Sequence, residues 1–155
     1  MNNLKMNNYF NMFIIILLFP YFFTSSFDLD IQKPSPVSWS FEIKKINESE
    51  SEILATASIN KGWILYSQFT DDNGPVPTQF VIDEKVVRFE EKTASMKEFD
   101  PLFEVDVIKF KDKAIFSKIV KKPANGNVNG YVTFMTCDGA KCLPPTDVNF
   151  DLNFN

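Results

Sequence analysis

Two cysteines near the carboxyl terminus are the residues of this chain best suited to chemistry. They stand in the stretch MTCDGAKCLPP, residues 135–145, as Cys137 and Cys142, and the 155-residue chain has no others. A pair at this spacing can form a structural disulfide, contribute to a metal site or exchange electrons with other thiols. The rest of the sequence must distinguish these uses.

The absence of histidine narrows the chemistry of the pair. Structural zinc sites take four ligands, commonly Cys and His, and this chain offers two thiols and no imidazole. The same absence excludes Ser-His-Asp and Cys-His nucleophilic catalysis. A Cu(I) ion held by Cys137, Cys142 and Met135 remains an alternative, because sulfur ligands suit Cu(I).

The spacing leaves a structural disulfide and a redox pair equally open. A bridge that closes a loop of about six residues adds only about 2 kcal/mol of stability through chain entropy. A redox pair needs only an attacking and a resolving thiol on an exposed, shaped loop. Gly139 and Pro144-Pro145 would shape such a loop here.

Composition and charge predict one globular domain that does not bind nucleic acid. The chain is 45% hydrophobic with seventeen Phe, which is ample apolar area for a core. Its formal net charge is −4 and its lysines are scattered. It therefore lacks the basic stripe that nucleic-acid binding requires.

The first 26 residues have the layout of a secretory signal peptide. Lys5 precedes an apolar run, Met12 to Phe23, which gives way to small polar residues ending at Ser26. The run is shorter than the roughly 20 residues of a spanning helix, and Pro20 interrupts it. We predict cleavage, export to the periplasm and a lead-in segment over residues 27–36. Disulfides persist in that compartment.

Residues 37–155 alternate apolar and polar side chains in short runs, which predicts an all-β domain. Val37, Trp39, Phe41 and Ile43 form one face of a strand, and Ile53, Ala55, Ala57 and Ile59 form one face of the next. Further runs are predicted at 63–69, 79–82, 86–91, 105–110, 114–120, 130–136 and 146–154. Eight or nine strands with turn residues between them favour an immunoglobulin-like β-sandwich. The cysteines are too close in sequence to form the inter-sheet bridge of antibody domains.

Three motifs resemble the N-terminal periplasmic domain of the thiol:disulfide interchange reductase DsbD, especially the forms found in Bacteroidetes. They are KGWILYSQFT at 61–70, KEFDPLFEVDVIKF at 97–110 and TCDGAKCLPPT at 136–146. The similarity runs from about Val37 to Phe154. It implies an immunoglobulin-like fold whose cysteine pair passes electrons from a thioredoxin-like donor to oxidised periplasmic thiol proteins.

The resemblance also implies roles for individual residues. Cys137 and Cys142 would be the active pair, with Cys142 attacking and no cofactor. Residues Glu98, Phe99, Asp100 and Pro101 would form a cap loop, with Phe99 over the disulfide, and Tyr66 would lie near the site. Apart from the resemblance, the positive charge of Lys141 next to Cys142 would favour a thiolate, whereas Glu98 and Asp100, if near the pair, would raise a thiol pKa.

The partners expected from the resemblance are separate proteins. Neither membrane segments nor a thioredoxin domain follow in this sequence. We therefore expect a separate thioredoxin-like donor, itself reduced by a separate membrane reductase. The competing interpretation is a non-enzymatic immunoglobulin-like interaction module in which the disulfide only stiffens a binding hairpin.

Overall fold

The computed structural model describes residues 35–154, and this part of the chain consists of strands, turns and loops without a helix. The predicted signal peptide, 1–26, and nearly all of the lead-in lie outside the described residues. Within residues 35–154 there is accordingly no helix of the length and apolarity needed to span a membrane. The strands are β1 (Val37–Lys45), β2 (Glu50–Ile59), β3 (Ile64–Tyr66), β4 (Gln79–Ile82), β5 (Lys85–Val87), β6 (Glu90–Glu91), β7 (Met96–Asp100), β8 (Val105–Phe110), β9 (Lys113–Lys121), β10 (Asn127–Phe134), β11 (Thr136–Cys137) and β12 (Thr146–Asn153).

The twelve strands form three antiparallel sheets of four strands each. Their orders are β1-β2-β9-β6, β12-β10-β4-β5 and β11-β3-β8-β7. Side chains alternate between the two faces of a strand, so an apolar residue at every second position lines one face. On β2 this face carries Ile53, Ala55, Ala57 and Ile59, none more than 6% exposed.

The main core lies between the first two sheets. Trp39 of β1 packs edge-on against Phe80 of β4, with ring centroids 5.8 Å apart, and Phe41 meets Phe150 of β12 at 4.5 Å. Rings from the first sheet thus contact rings from the second across the interior. The predicted immunoglobulin-like β-sandwich is confirmed.

The predicted strand over residues 86–91 is divided between two sheets. β5 pairs with β4 in the second sheet, whereas β6 pairs with β9 in the first. The chain crosses the interior between them, where Phe89 is buried and stacks on Phe80 at 4.1 Å. The apolar run over residues 86–91 therefore crosses the core from one sheet to the other. Its sequence pattern alone does not show whether it crosses or continues as one strand.

Strand β7 was not predicted from the sequence. Four of its five residues are exposed, so no buried face imposes an alternating apolar pattern. It forms because it pairs along its whole length with β8, from Met96 opposite Lys109 to Asp100 opposite Val105. It is an edge strand of the third sheet.

The third sheet positions the cysteines. Along β3, Leu65 faces the main core, while Ile64 and Tyr66 face a second apolar group that includes Cys137. β11 pairs with β3 so that Cys137 stands opposite Ile64. Residues opposite each other in an antiparallel pair lie on the same face, so the register of this sheet decides which side chains accompany Cys137.

Candidate functional site

Cys137 and Cys142 are joined by a disulfide, with their Cα atoms 4.1 Å apart. They face each other across a narrow antiparallel hairpin. Backbone hydrogen bonds flank the pair on both sides: Leu143 N to Thr136 O at 2.9 Å and Asp138 N to Lys141 O at 3.0 Å. The cysteines therefore occupy a non-hydrogen-bonded position, where opposite Cα atoms come closest. The register of the hairpin brings the two sulfurs together.

The turn of this hairpin is held by its own aspartate. Asp138 Oδ1 accepts hydrogen bonds from the backbone N–H groups of Ala140, at 3.0 Å, and Lys141, at 2.9 Å. Gly139 has φ = +85°, a conformation that glycine adopts without a steric penalty. The hydrogen bonds from Ala140 and then Lys141 hold the pKa of Asp138 below its ordinary value of 3.8. The Asp-Gly sequence thus specifies the turn between the cysteines.

The two cysteines differ in exposure. Cys137 is fully buried, while Cys142 is only partly buried. Around them lies a group that we name the disulfide cluster: Ile64, Tyr66, Val107 and Cys137, with partly buried Phe103, Val105, Met135 and Cys142 packed against them. Cys137 is therefore enclosed by apolar side chains, whereas part of Cys142 reaches the surface.

Tyr66 connects the disulfide cluster to the turn between β7 and β8. Its hydroxyl donates a hydrogen bond to Asp100 Oδ2 at 2.9 Å, and Asp100 Oδ1 accepts one from Leu102 N at 2.9 Å. Both side chains are buried, Tyr66 completely and Asp100 to 3% exposure. Burial, and then the bond to Asp100, raise the pKa of Tyr66, so its phenol stays a neutral donor.

The expected cap segment is partly strand and partly turn. Glu98, Phe99 and Asp100 end strand β7, and Pro101 begins the four-residue turn that leads to β8. Because side chains alternate along a strand, Phe99 and Asp100 lie on opposite faces, and Phe99 is 57% exposed. The ring that joins the disulfide cluster is Phe103, which lies edge-on to Tyr66 with centroids 6.3 Å apart.

The charged residues expected near the pair lie at the rim of the cluster. Glu98 Oε2 is 3.2 Å from Lys109 Nζ, an ion pair in which the lysine side chain is 9% exposed. Lys141 is exposed, and its backbone belongs to the hairpin turn. Neither belongs to the apolar group around Cys137.

A cleft of about 430 Å³ opens beside the hairpin turn. Asp138 and Gly139 line one side of it, and Trp63 and Pro101 supply apolar surface. Its walls carry charges of both signs, from three lysines and three aspartates: Lys61, Lys109, Lys111, Asp100, Asp112 and Asp138. The hairpin therefore borders a recess large enough to accept a segment of another molecule.

Several residues of the site were not found by sequence reasoning. Phe103 and Val107 lie within the motif at 97–110, but neither was singled out there as a residue of the site. The face of each residue depends on the length of β7 and on its register with β8. An alternating pattern read back from Val107, through Val105 to Phe103, was the available signal.

Comparisons with known proteins bear on the fold. No protein-family model matches the sequence, and no curated protein does either. Among solved structures, the N-terminal periplasmic domain of ScsB from Proteus mirabilis matches with a TM-score of 0.62 and 17% identity, covering 78% of this chain and 47% of that one. The reduced N-terminal domain of DsbD from Neisseria meningitidis gives a TM-score of 0.49 and 15% identity, covering 74% and 84%. The present chain thus spans about half the length of the ScsB structure that it matches.

At these identities the likeness establishes the fold. The described part of the chain folds as an immunoglobulin-like β-sandwich similar to the N-terminal periplasmic domain of ScsB.

Proposed function

We propose that this chain is a periplasmic thiol–disulfide exchange domain whose active pair is Cys137 and Cys142. It takes electrons from a thioredoxin-like donor and passes them to oxidised thiol proteins. The similarity of the fold to the N-terminal periplasmic domain of ScsB supports this location.

The unequal burial of the two cysteines is the observation that carries this proposal. The disulfide closes only the short hairpin between Cys137 and Cys142, so it connects no distant elements of the sandwich. A bridge of this size contributes little to stability. One buried and one accessible sulfur suit exchange, because attack by an external thiolate requires access to a single sulfur.

Each half of the exchange transfers two electrons. In the reducing direction, the Cys142 thiolate attacks a sulfur of the partner's disulfide, forming a mixed disulfide and releasing one partner thiolate. The Cys137 thiolate then attacks Cys142 Sγ, closing the Cys137–Cys142 bond and releasing the second partner thiolate, which takes a proton from solvent. The domain ends oxidised and the partner reduced. The thioredoxin-like donor reverses these steps.

The surroundings of the pair support selective exchange. Phe103 and Tyr66 pack beside Cys137, and the bond from Tyr66 to Asp100 holds the turn that carries Phe103. We therefore assign the shielding ring to Phe103, whereas Phe99 of the expected cap segment, Glu98–Pro101, is largely exposed. The cleft beside Asp138 and Gly139 gives an approaching partner a place to dock.

Trapping of the mixed disulfide tests the proposal. Cys137→Ser retains the accessible Cys142 and should accumulate a mixed disulfide with an oxidised thioredoxin-like partner. Cys142→Ser is the matched control, and its buried Cys137 should trap little. Equal trapping by both variants would contradict the assigned roles, and no exchange by the wild-type protein would contradict the function.

The reduction potential separates this function from a stiffened interaction module. A structural disulfide resists reduction by glutathione, whereas an exchanging pair has a potential in the range of the thiol oxidoreductases. We expect the latter. A potential below about −300 mV would indicate the structural module instead.

A further inference from the structure

A third sulfur-containing side chain lies beside the cysteine pair. Met135 is two residues before Cys137 and packs against the same disulfide cluster, as does Cys142. Residues two apart along an extended chain point to the same side. Cys142 stands opposite Cys137 in the hairpin. The fold therefore places the side chains of Met135, Cys137 and Cys142 in one cluster.

The surroundings of these sulfurs are apolar. Ile64 and Val107 are buried beside Cys137, and Phe103 and Val105 pack against them. Water and hard oxygen ligands are largely kept away from such a position. Across residues 35–154, no three His, Cys, Asp or Glu side chains gather in a way that could hold a metal ion, so the sulfur group has no rival of the usual ligand types there.

We propose that the reduced form binds one Cu(I) ion through Cys137, Cys142 and Met135. Thiolate and thioether sulfur are the soft ligands that select Cu(I), whereas Zn²⁺ prefers four ligands drawn largely from Cys and His. Binding displaces one proton from each thiol and transfers no electron. Met135 supplies a neutral third ligand, so its role differs from that of any residue in thiol exchange.

Binding of copper and formation of the disulfide exclude each other. The same two sulfurs form either the S–S bond or the bonds to the metal. An oxidised partner that converts the dithiol to the disulfide removes two thiolate ligands and releases the ion. A bound ion, in turn, stabilises the reduced form by mass action.

Competition with a chromogenic Cu(I) chelator, bicinchoninate, tests the proposal without any redox partner. Under anaerobic conditions the fully reduced protein should remove one equivalent of Cu(I) from the chelator, and the oxidised protein should remove none. Met135→Leu should weaken the binding by about tenfold or more, because one of three ligands is lost. Met96→Leu is the matched control, since Met96 is exposed on the edge strand β7, and it should bind as the wild type does.

The outcomes are distinct from those of the exchange assay. Failure of the reduced wild-type protein to take Cu(I), or binding by Met135→Leu equal to that of the wild type, would refute the three-sulfur site even if exchange with a thioredoxin-like partner proceeds. Thermal unfolding of the oxidised Met135→Leu protein shows whether that variant is folded. If it is not, Met135→Gln, which keeps the length of the side chain but removes its sulfur, decides the question by the same criterion.

Discussion

At the scale of single residues, the alternation of side chains along a strand decides which groups accompany the cysteines. Phe99 and Phe103 are four residues apart in one motif, yet only Phe103 belongs to the disulfide cluster. Phe99 is 57% exposed and lies on the face of β7 away from Asp100. The two rings therefore form a natural pair of test and control.

Phe103→Ala should increase the rate at which an alkylating reagent modifies the reduced cysteines. Removing the ring uncovers the cluster around Cys137, and exchange depends on access as well as on thiolate fraction. Phe99→Ala should have little effect, since its ring already faces solvent for the most part. Alkylation rates measured on both variants check this. A larger increase of the alkylation rate in Phe99→Ala than in Phe103→Ala would show that Phe99 shields the cysteines.

The carboxyl group of Asp138, in the turn between the cysteines, should take up its proton only in acid. The pKa of folded Asp138 is lowered by hydrogen bonds from Ala140 and Lys141, whereas an unfolded chain titrates near 3.8. The stabilisation that ionised Asp138 gives to the folded state is therefore fully present above pH 3.8. It is lost as the pH falls through the lower pKa of the folded protein. The amide resonances of Ala140 and Lys141 should shift with a midpoint below 3.8.

Asp138→Asn is the control for this titration. Its side-chain carbonyl still accepts the two backbone hydrogen bonds but carries no titratable proton. The shift with pH should disappear while the turn persists. A midpoint at or above 3.8 in the wild-type protein would contradict the role of Asp138.

At the scale of elements, the hairpin of β7 and β8 depends on a contact with a neighbouring strand. The hydroxyl of Tyr66 on β3 donates a hydrogen bond to Asp100 at the end of β7, and Asp100 accepts another from Leu102 N in the following turn. Loop residue Gly74 packs on the same hairpin: a Cβ placed there would lie 2.8 Å from Val105 Cγ2 and 3.6 Å from Phe103 Cβ. The position of Phe103 is thus set from two sides.

Tyr66→Phe should destabilise the domain by about 1–3 kcal/mol, because it leaves the buried Asp100 carboxylate without one of its donors. It should also loosen the turn at 101–104 and so increase alkylation of the reduced cysteines. Tyr131→Phe, at a half-buried tyrosine of β10, is the matched control and should change stability far less. Chemical denaturation and alkylation rates measure both effects. An unchanged rate in Tyr66→Phe would mean that the turn is held without this hydrogen bond.

At the scale of the whole molecule, the main core lies within the sandwich and the disulfide lies in one hairpin outside that core. The main core joins the first two sheets through rings such as Trp39, Phe80 and Phe116. The disulfide lies outside that core, in the separate cluster of the third sheet. Loss of the bridge should therefore spare the fold.

The double variant Cys137→Ser, Cys142→Ser should remain folded. Its disulfide closes so short a loop that it contributes only about 2 kcal/mol, and the Tm should fall by several degrees, at about 4 °C per kcal/mol. Exchange with a thioredoxin-like partner should be abolished. Thermal unfolding together with an exchange assay measures both. A double variant that does not fold would favour a structural disulfide.

The mature protein should begin close to Phe27 and be recovered in the periplasmic fraction. The apolar run from Met12 to Phe23 followed by small polar residues predicts cleavage after Ser26. N-terminal sequencing of the exported protein checks the site. Recovery of an intact Met1 on membrane-bound protein would show that the segment is retained.

The sequence by itself determined the class of the fold and the reactive pair. Alternating apolar residues on β1 and β2 predict strands with one buried face, because the side-chain period of a strand is two. Likewise, the absence of histidine excludes Ser-His-Asp and Cys-His catalysis, which leaves the two neighbouring cysteines as the candidate pair. Both are local properties that depend on nearby residues along the chain.

Only the tertiary structure decided which residues surround the pair. The exposed edge strand β7 has no apolar alternation, and the crossing at Phe89 reads like a strand, so neither could be recognised from local pattern. The choice of Phe103 over Phe99 depends on the register between β7 and β8, where a slip of one residue exchanges the two faces. The burial of Cys137 but not Cys142 depends on the pairing of β11 with β3, which joins residues more than 70 positions apart. These properties arise from contacts between distant segments, which composition and spacing do not encode.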